Sequence, residues 1–287
     1  MQQSFEQRLA SEYQALSTKL RLAADYVVDH PVDIATRSLR TISKDASLSP
    51  ATFSRMSRAL GYSNYEELRD VMRASIGQKK GSFTDRVDRL QQEHGQGQQD
   101  FLTSHFLACS DNLQSLGDSI DRRSLEQAVE HLHKARHVLV VGALGSTGIA
   151  EHMNYMANFI SDKWYLVGRM GASLASGLVG ISDQDVIIIM TKPPFARQSI
   201  AAATEAREQG AYVIVITDTH SCPALAHANV SFIVPTDSSH FFSSYAATLA
   251  LTETMIGMLA SRGGSAARDR IAIVEDRTHR LGEVWDG

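Results

Sequence analysis

Cysteine is scarce in this sequence. The two residues, Cys109 and Cys222, lie far apart and form no metal-ligand spacing, so reduced thiols are expected. Long apolar runs are missing as well; none approaches the roughly 18 residues of a membrane-spanning helix. The opening MQQSFEQRLASEY has no signal-peptide core, and a cytoplasmic protein is expected. No metal box is present: His131 and His133 stand two apart on a helix and diverge, and the other histidines are scattered. The glycine-rich stretch Gly142-Ala143-Leu144-Gly145-Ser146-Thr147-Gly148 misses the dinucleotide pattern because position 144 is Leu. The same Leu144 removes the nucleophile-elbow pattern around Ser146, and no Lys follows the last Gly, which excludes a P-loop. No cofactor and no metal are expected.

The rest of the composition fits a soluble globular protein with a sizeable core: 287 residues, 43% hydrophobic and 21% charged, long enough for two domains. The net charge of −4 divides unevenly, with +3 on residues 1–80 and −7 on the remainder. Between Thr36 and Tyr62 five basic residues (Arg37, Arg40, Lys44, Arg55, Arg58) face Asp45 alone, as a phosphate-backbone contact requires. Within that basic region Ser47–Tyr62 reads SLSPATFSRMSRALGY. Ser49 is a helix N-cap, Pro50 suits the first turn, and Gly61 is a C′ glycine. Phe53, Met56 and Leu60 make one apolar stripe, and Thr52, Arg55 and Arg58 are expected on open faces. A shorter helix over residues 39–46 precedes it. Helix, tight turn and capped helix read as a helix-turn-helix, with an ordinary αα-hairpin as the alternative. The expected DNA-binding residues are Arg40, Lys44, Ser49, Ala51, Thr52, Ser54, Arg55 and Arg58.

Further helices over 4–30, 32–38 and 64–76 complete an all-α domain over residues 1–77. Residues 78–100 are polar and glycine-spotted and read as a linker with one short helix. Two helices, about 101–116 and 122–135, with Ser119 or Asp121 capping the second, lead into a second region. There, short continuous apolar runs at 137–142, 164–167, 185–190, 211–217 and 230–234 alternate with helical segments. This is the pattern of a doubly wound, five-stranded parallel sheet with a flavodoxin-like arrangement, over residues 101–287. A long helix, about 243–261, and a charged tail helix, about 266–281, close the chain. In such sheets ligands sit beyond the carboxyl ends of the strands, near helix N-termini. Three loops qualify: the Gly142–Gly148 turn, the Thr191–Ser199 loop with Lys192 and Arg197, and Asp237–Ser244. The expected effector-binding residues are Gly142, Ser146, Thr191, Lys192, Arg197 and Ser243, suited to a small anion.

Two sets of residues carry a resemblance. Ala24-Asp25-Tyr26-Val27, His30-Pro31, Ser38-Leu39, Ser49-Pro50-Ala51-Thr52, Arg55, Leu60-Gly61-Tyr62 and Tyr65-Glu66-Glu67-Leu68 form the first set. Gly142, Ser146, Gly210-Ala211, Ile216-Thr217-Asp218, Ser221-Cys222-Pro223 and Leu225-Ala226 form the second. Together they resemble the RpiR/MurR family of bacterial transcriptional regulators, in which a helix-turn-helix domain precedes a sugar isomerase (SIS) domain. The resemblance implies a homodimer or homotetramer that binds a double-stranded, palindromic operator and senses a phosphorylated sugar. Two departures stand out. Leu144 replaces the second glycine of the first loop, and the hydroxyl-rich phosphate loop S-x-S-G-x-T reads Thr191-Lys192-Pro193-Pro194-Phe195-Ala196, leaving a carboxylate effector open beside a phosphosugar. The leading reading is a ligand-responsive transcription factor and not an enzyme. The alternatives are a SIS-type sugar-phosphate isomerase, against which no acid/base pair gathers at the loops and Glu253 stands alone, and a metabolite-binding module that does not touch DNA.

Overall fold

Serine caps and two prolines, Pro31 and Pro50, mark where several of the first helices begin. The structure, a computed structural model, describes residues 5–79, 83–95, 100–168 and 173–285. Parts of the expected linker, 80–82 and 96–99, therefore lie outside the described residues. The chain divides into two units: one gathers residues up to Ile120 with Thr219–Ser221 and Ile233–Ala247, the other the remainder.

The first unit carries α1 (Phe5–Glu12), α2 (Thr18–Asp29), α3 (Pro31–Thr36), α4 (Leu39–Asp45), α5 (Pro50–Ala59) and α6 (Tyr65–Lys79), followed by α7 (Phe83–Gly95) and α8 (Phe101–Ser119). Ser38 caps α4 by accepting from the Thr41 N–H, and Ser49 caps α5 by accepting from the Thr52 N–H at 3.2 Å. The four-residue connection between them, 46–49, holds Ser47 at φ +55, and Leu48 N–H donates to Ser43 C=O at 3.0 Å. At the far end of α5, Gly61 takes φ +79, Gly61 N–H reaches Arg58 C=O and Tyr62 N–H reaches Ser57 C=O, a Schellman closure. Phe53, Met56 and Leu60 are buried, as their spacing predicts, in a core shared with Ala24, Val27, Ile34, Ile42, Tyr65 and Leu68. Phe53 meets Tyr26 and Tyr65 edge-on, each with centroids 6.1 Å apart. Arg8 secures the end of α5 from outside: its guanidinium lies 4.4 Å over the Tyr62 ring and donates to Gly61 C=O at 2.7 Å.

The second unit opens with α9 (Arg122–Lys134), capped by Asp121, and builds β1 (Val138–Gly142), α10 (Thr147–Ile160), β2 (Trp164–Leu166), α11 (Leu174–Leu178), β3 (Val186–Met190), α12 (Arg197–Glu208), β4 (Tyr212–Thr217) and β5 (Val230–Ile233). The strands are ordered β2-β1-β3-β4-β5, the flavodoxin-like order, and all five fall where the apolar runs predict. β1 and β3 are buried along their whole length, and their ends are level, with Gly142 beside Met190. Most of α13 (Ala246–Arg262) and then α14 (Gly264–Arg280) complete the unit. The expected long helix thus starts at Ala246, where Ser244 Oγ accepts from the Ala246 N–H, and not at Ser243.

At the amino end of the sheet Asp185 is 1% exposed, holds Arg136 through two hydrogen bonds of 3.0 and 2.6 Å, and accepts the Ser182 N–H at 2.9 Å. Burial opposes its ionisation, but Arg136 and Ser182 outweigh that and keep the carboxyl below the usual carboxylate range. Among the described residues no helix is long and apolar enough to cross a membrane, and no group of His, Cys, Asp or Glu is placed to hold a metal ion.

Candidate functional site

α4 and α5 carry several exposed cations of the first unit. Five cations were expected to act together between Thr36 and Tyr62, but Arg37 is used internally, bridging Asp45 at 2.8 Å and Asp33 at 3.5 Å. The other four, Arg40, Lys44, Arg55 and Arg58, are exposed, and their side chains have no hydrogen-bonding or ionic partner among the described residues. Folding leaves these four cations free to meet an external anion. Ala51 and Ser49 are also exposed. Ser54 is half-buried and donates back to Pro50 C=O at 3.2 Å.

Thr52 requires a correction. It was expected on an open face, but it is 3% exposed, and its hydroxyl is 2.9 Å from Ser49 Oγ. The reason is helical geometry: Thr52 stands four residues before Met56, so it shares the buried stripe. Its hydroxyl completes the cap instead of facing a partner.

In the second unit the strand order reverses between β1 and β3, and the loops leaving their carboxyl ends lie side by side. Gly142 ends β1 where α10 passes very close. A Cβ there would stand 2.5 Å from Ala150 Cβ and 2.6 Å from Ser146 C=O, so only glycine fits. Leu144 follows at φ +53, an unusual conformation for a side chain of that size, with 63% of its surface exposed. Ser146 is buried at the start of α10, and its N–H donates to Ala143 C=O.

From β3, Thr191 is buried and donates its N–H to Ile216 C=O at 3.1 Å. Lys192 turns inward, 7% exposed, with Nζ donating to Thr248 Oγ1 of α13 at 2.6 Å. Burial pushes its pKa down to about 8, against an opposing pull from Asp218. Phe195 anchors the loop to the core under the sheet. Arg197, the first residue of α12, is exposed and has no side-chain partner among the described residues.

Four expected residues, Gly142, Ser146, Thr191 and Lys192, thus lie in the two neighbouring loops, and Arg197 opens the helix that follows. Ser243 belongs to the first unit. There, the aromatic pair beside it is structural: Phe242 stacks on Phe83 with centroids 4.8 Å apart, and Phe241 C=O accepts from Arg86 at 3.2 Å. Sequence reasoning missed Thr248, the partner of Lys192, because a threonine in an apolar helix carries no signal of its own. It also missed Ser199, whose buried hydroxyl in the first turn of α12 has no hydrogen-bond partner among the described residues.

Two family models match, each over one part of the chain. Residues 3–79 match the helix-turn-helix domain of the rpiR family, and residues 131–258 match the SIS domain. Among curated proteins, the HTH-type transcriptional regulator HexR of Pseudomonas aeruginosa is 24% identical over 216 residues, covering 74% of this chain and 72% of that protein. HexR of Escherichia coli is 22% identical over 280 residues, 94% of this chain and 92% of that one. Among solved structures, the Vibrio vulnificus NanR protein complexed with ManNAc-6P has a TM-score of 0.56 at 19% identity, covering 97% of this chain and 99% of that one. The sugar isomerase domain of an RpiR transcription factor from Sphaerobacter thermophilus has a TM-score of 0.59 at 22% identity, covering 62% of this chain and 99% of that one. At these identities the structural likenesses speak for the fold.

Proposed function

The chain belongs to the rpiR family of helix-turn-helix proteins that carry a SIS domain, and from that premise we propose how it acts as a ligand-responsive transcriptional regulator. Residues 1–77 form the DNA-reading head, 78–100 the linker and 101–287 the effector and oligomerisation domain. The observation that carries the reading is the set of four exposed cations, Arg40, Lys44, Arg55 and Arg58, unpaired among the described residues, around a doubly capped α5. α5 enters the major groove. Arg55 and Arg58, with Ala51 and Ser54, contact base edges and nearby phosphates, while Arg40 and Lys44 of α4 hold the backbone. Two such heads in a homodimer or homotetramer read a palindromic operator in the cytoplasm.

The effector is a small anion held over the Gly142–Ser146 and Thr191–Arg197 loops. Lys192 and Arg197 supply charge; Ser146, Thr191 and the first turn of α12 supply donors. A phosphosugar heads the list, since NanR, which shares the fold, was solved with ManNAc-6P; the inward lysine also suits a carboxylate. No enzymatic role is assigned: Glu253 and His152, 3.8 Å apart on α13 and α10, are both about half exposed.

The test is a DNA shift assay with the full-length protein, with sugar phosphates and keto acids added in turn. We expect salt-dependent DNA binding that one class of anion changes. Absence of DNA binding at any salt, or turnover of a sugar phosphate, overturns the reading.

A further inference from the structure

A cleft of about 370 Å³ in the first unit is lined by Ser17, Thr18, Lys19 and Leu20 at the start of α2 and by Arg55 from α5. We propose that this cleft seats a phosphodiester of the DNA backbone beside the groove that α5 enters, with Lys19 as its principal cation. This rests on the DNA-reading role proposed above.

Three observations converge. First, two cations from separate helices, Lys19 and Arg55, line one cleft, and neither side chain has a partner among the described residues. Like charges gathered without a counter-charge repel one another, and a bound anion relieves that repulsion. Second, every polar side chain on the wall can donate. Ser17 stands at the N-cap of α2, but its side chain accepts no capping hydrogen bond. The first-turn N–H groups of this 12-residue helix therefore keep no intrahelical acceptor. The hydroxyls of Ser17 and Thr18 complete the set.

Third, the lining fits a backbone phosphate better than a small metabolite. Small-molecule pockets are walled mainly by apolar and aromatic side chains. Here Leu20 is the one apolar residue of five, and Ser17, Thr18, Lys19 and Arg55 are all exposed. Arg55 joins the cleft to the reading face, since α5 also carries Ala51 and Arg58. A strand whose bases meet α5 passes its phosphates across the start of α2. Lys19 carried no signal in sequence, because it lies outside the basic Thr36–Tyr62 stretch and becomes a neighbour of Arg55 only through the packing of α2 on α5.

The experiment measures binding of the full-length protein to a short mixed-sequence duplex across a salt titration, for wild type, Lys19→Gln, Lys19→Arg and Arg58→Gln. Loss of one phosphate contact lowers the slope of log K against log salt by about 0.9. We expect that decrease, with a several-fold loss of affinity at low salt, for Lys19→Gln. Lys19→Arg should keep the wild-type slope, and both variants should melt as wild type does, since Lys19 is exposed. A normal slope for Lys19→Gln beside a reduced slope for Arg58→Gln overturns the phosphate seat alone. No duplex binding by wild type at any salt overturns both the seat and the DNA-reading role. If inorganic phosphate raises the melting temperature of wild type but not of Lys19→Gln while the duplex slopes stay equal, the cleft takes free phosphate and the duplex assignment is overturned.

Discussion

The first unit and the Lys192 loop of the second hold their cations in opposite ways. Arg40, Lys44, Arg55 and Arg58 are exposed and have no partner among the described residues, so the first unit bears almost no cost for keeping them charged. In the second unit Lys192 is buried against Thr248, with its pKa pushed down to about 8, so its charge opposes folding at neutral pH. The contrast follows the partners proposed for each. A duplex brings many phosphates to an open face and competes with salt, which suits several loosely held charges. A single small anion must be held firmly enough to alter the protein, and a buried charge that costs folding energy gives it that leverage.

The largest expected effect tests that cost. Lys192→Met should raise stability at pH 7 by about 1–3 kcal/mol, since a fall of the pKa from 10.5 to about 8 corresponds to about 3 kcal/mol, less the lost bond to Thr248. The sign follows from linkage. The folded pKa lies below the unfolded one, near 10.4, so the penalty is complete below pH 8 and vanishes as pH rises to the unfolded value. Denaturant melts of both proteins over that range should show their gap closing; a constant gap, or a less stable variant, would contradict the stored cost. The same variant should lose its response to the effector.

The second effect tests the opposite treatment in the head. Arg55→Ala should weaken binding to an operator by about 1–3 kcal/mol, read from a shift assay at fixed salt. Its melting temperature and oligomeric state should stay unchanged, because Arg55 is exposed and bonded to nothing in the described protein. A large loss of stability would show that the head, too, uses its cations to hold itself together.

The same division decides how much was legible in the sequence. Caps, stripes and strands are local properties, and Ser49, Gly61, the Phe53–Met56–Leu60 stripe and all five strands stand where the pattern puts them. Misreadings arise wherever a side chain's fate depends on a distant neighbour. Arg37 counts as a free cation until Asp45 is brought beside it. Thr52 counts as a reader until its position above Met56 buries it. Lys192 reads as an open cation at a helix entrance, and only the packing of α13 turns it inward. Register along a helix was readable; the identity of what packs against it was not.

A smaller effect asks whether the capped reading helix is as locally determined as it looks. Ser49→Ala removes the acceptor of the Thr52 N–H and leaves the buried Thr52 hydroxyl without its 2.9 Å partner. A loss of about 1 kcal/mol is expected in a denaturant melt, with DNA affinity falling as α5 frays. Restoration by Ser49→Asp, which also accepts from the first turn, would identify the cap as the cause.

The smallest effect compares two strained positions, one in each unit. Ser47 in the α4–α5 turn and Leu144 in the first loop after β1 adopt φ values of +55 and +53. Glycine at either position relieves about 1–2 kcal/mol of left-handed strain but loses about 0.5–1 kcal/mol to the freedom of the unfolded chain. Each substitution should therefore add roughly 0.5 kcal/mol. Equal gains in stability would separate strain from function, because only Leu144 presents a large exposed side chain beside the loop that holds Lys192. Leu144→Gly should widen the range of anions that shift DNA binding, whereas Ser47→Gly should leave that range unchanged. If both variants respond to the same anions as wild type, Leu144 does not shape the pocket, and selectivity rests with the Thr191–Arg197 loop.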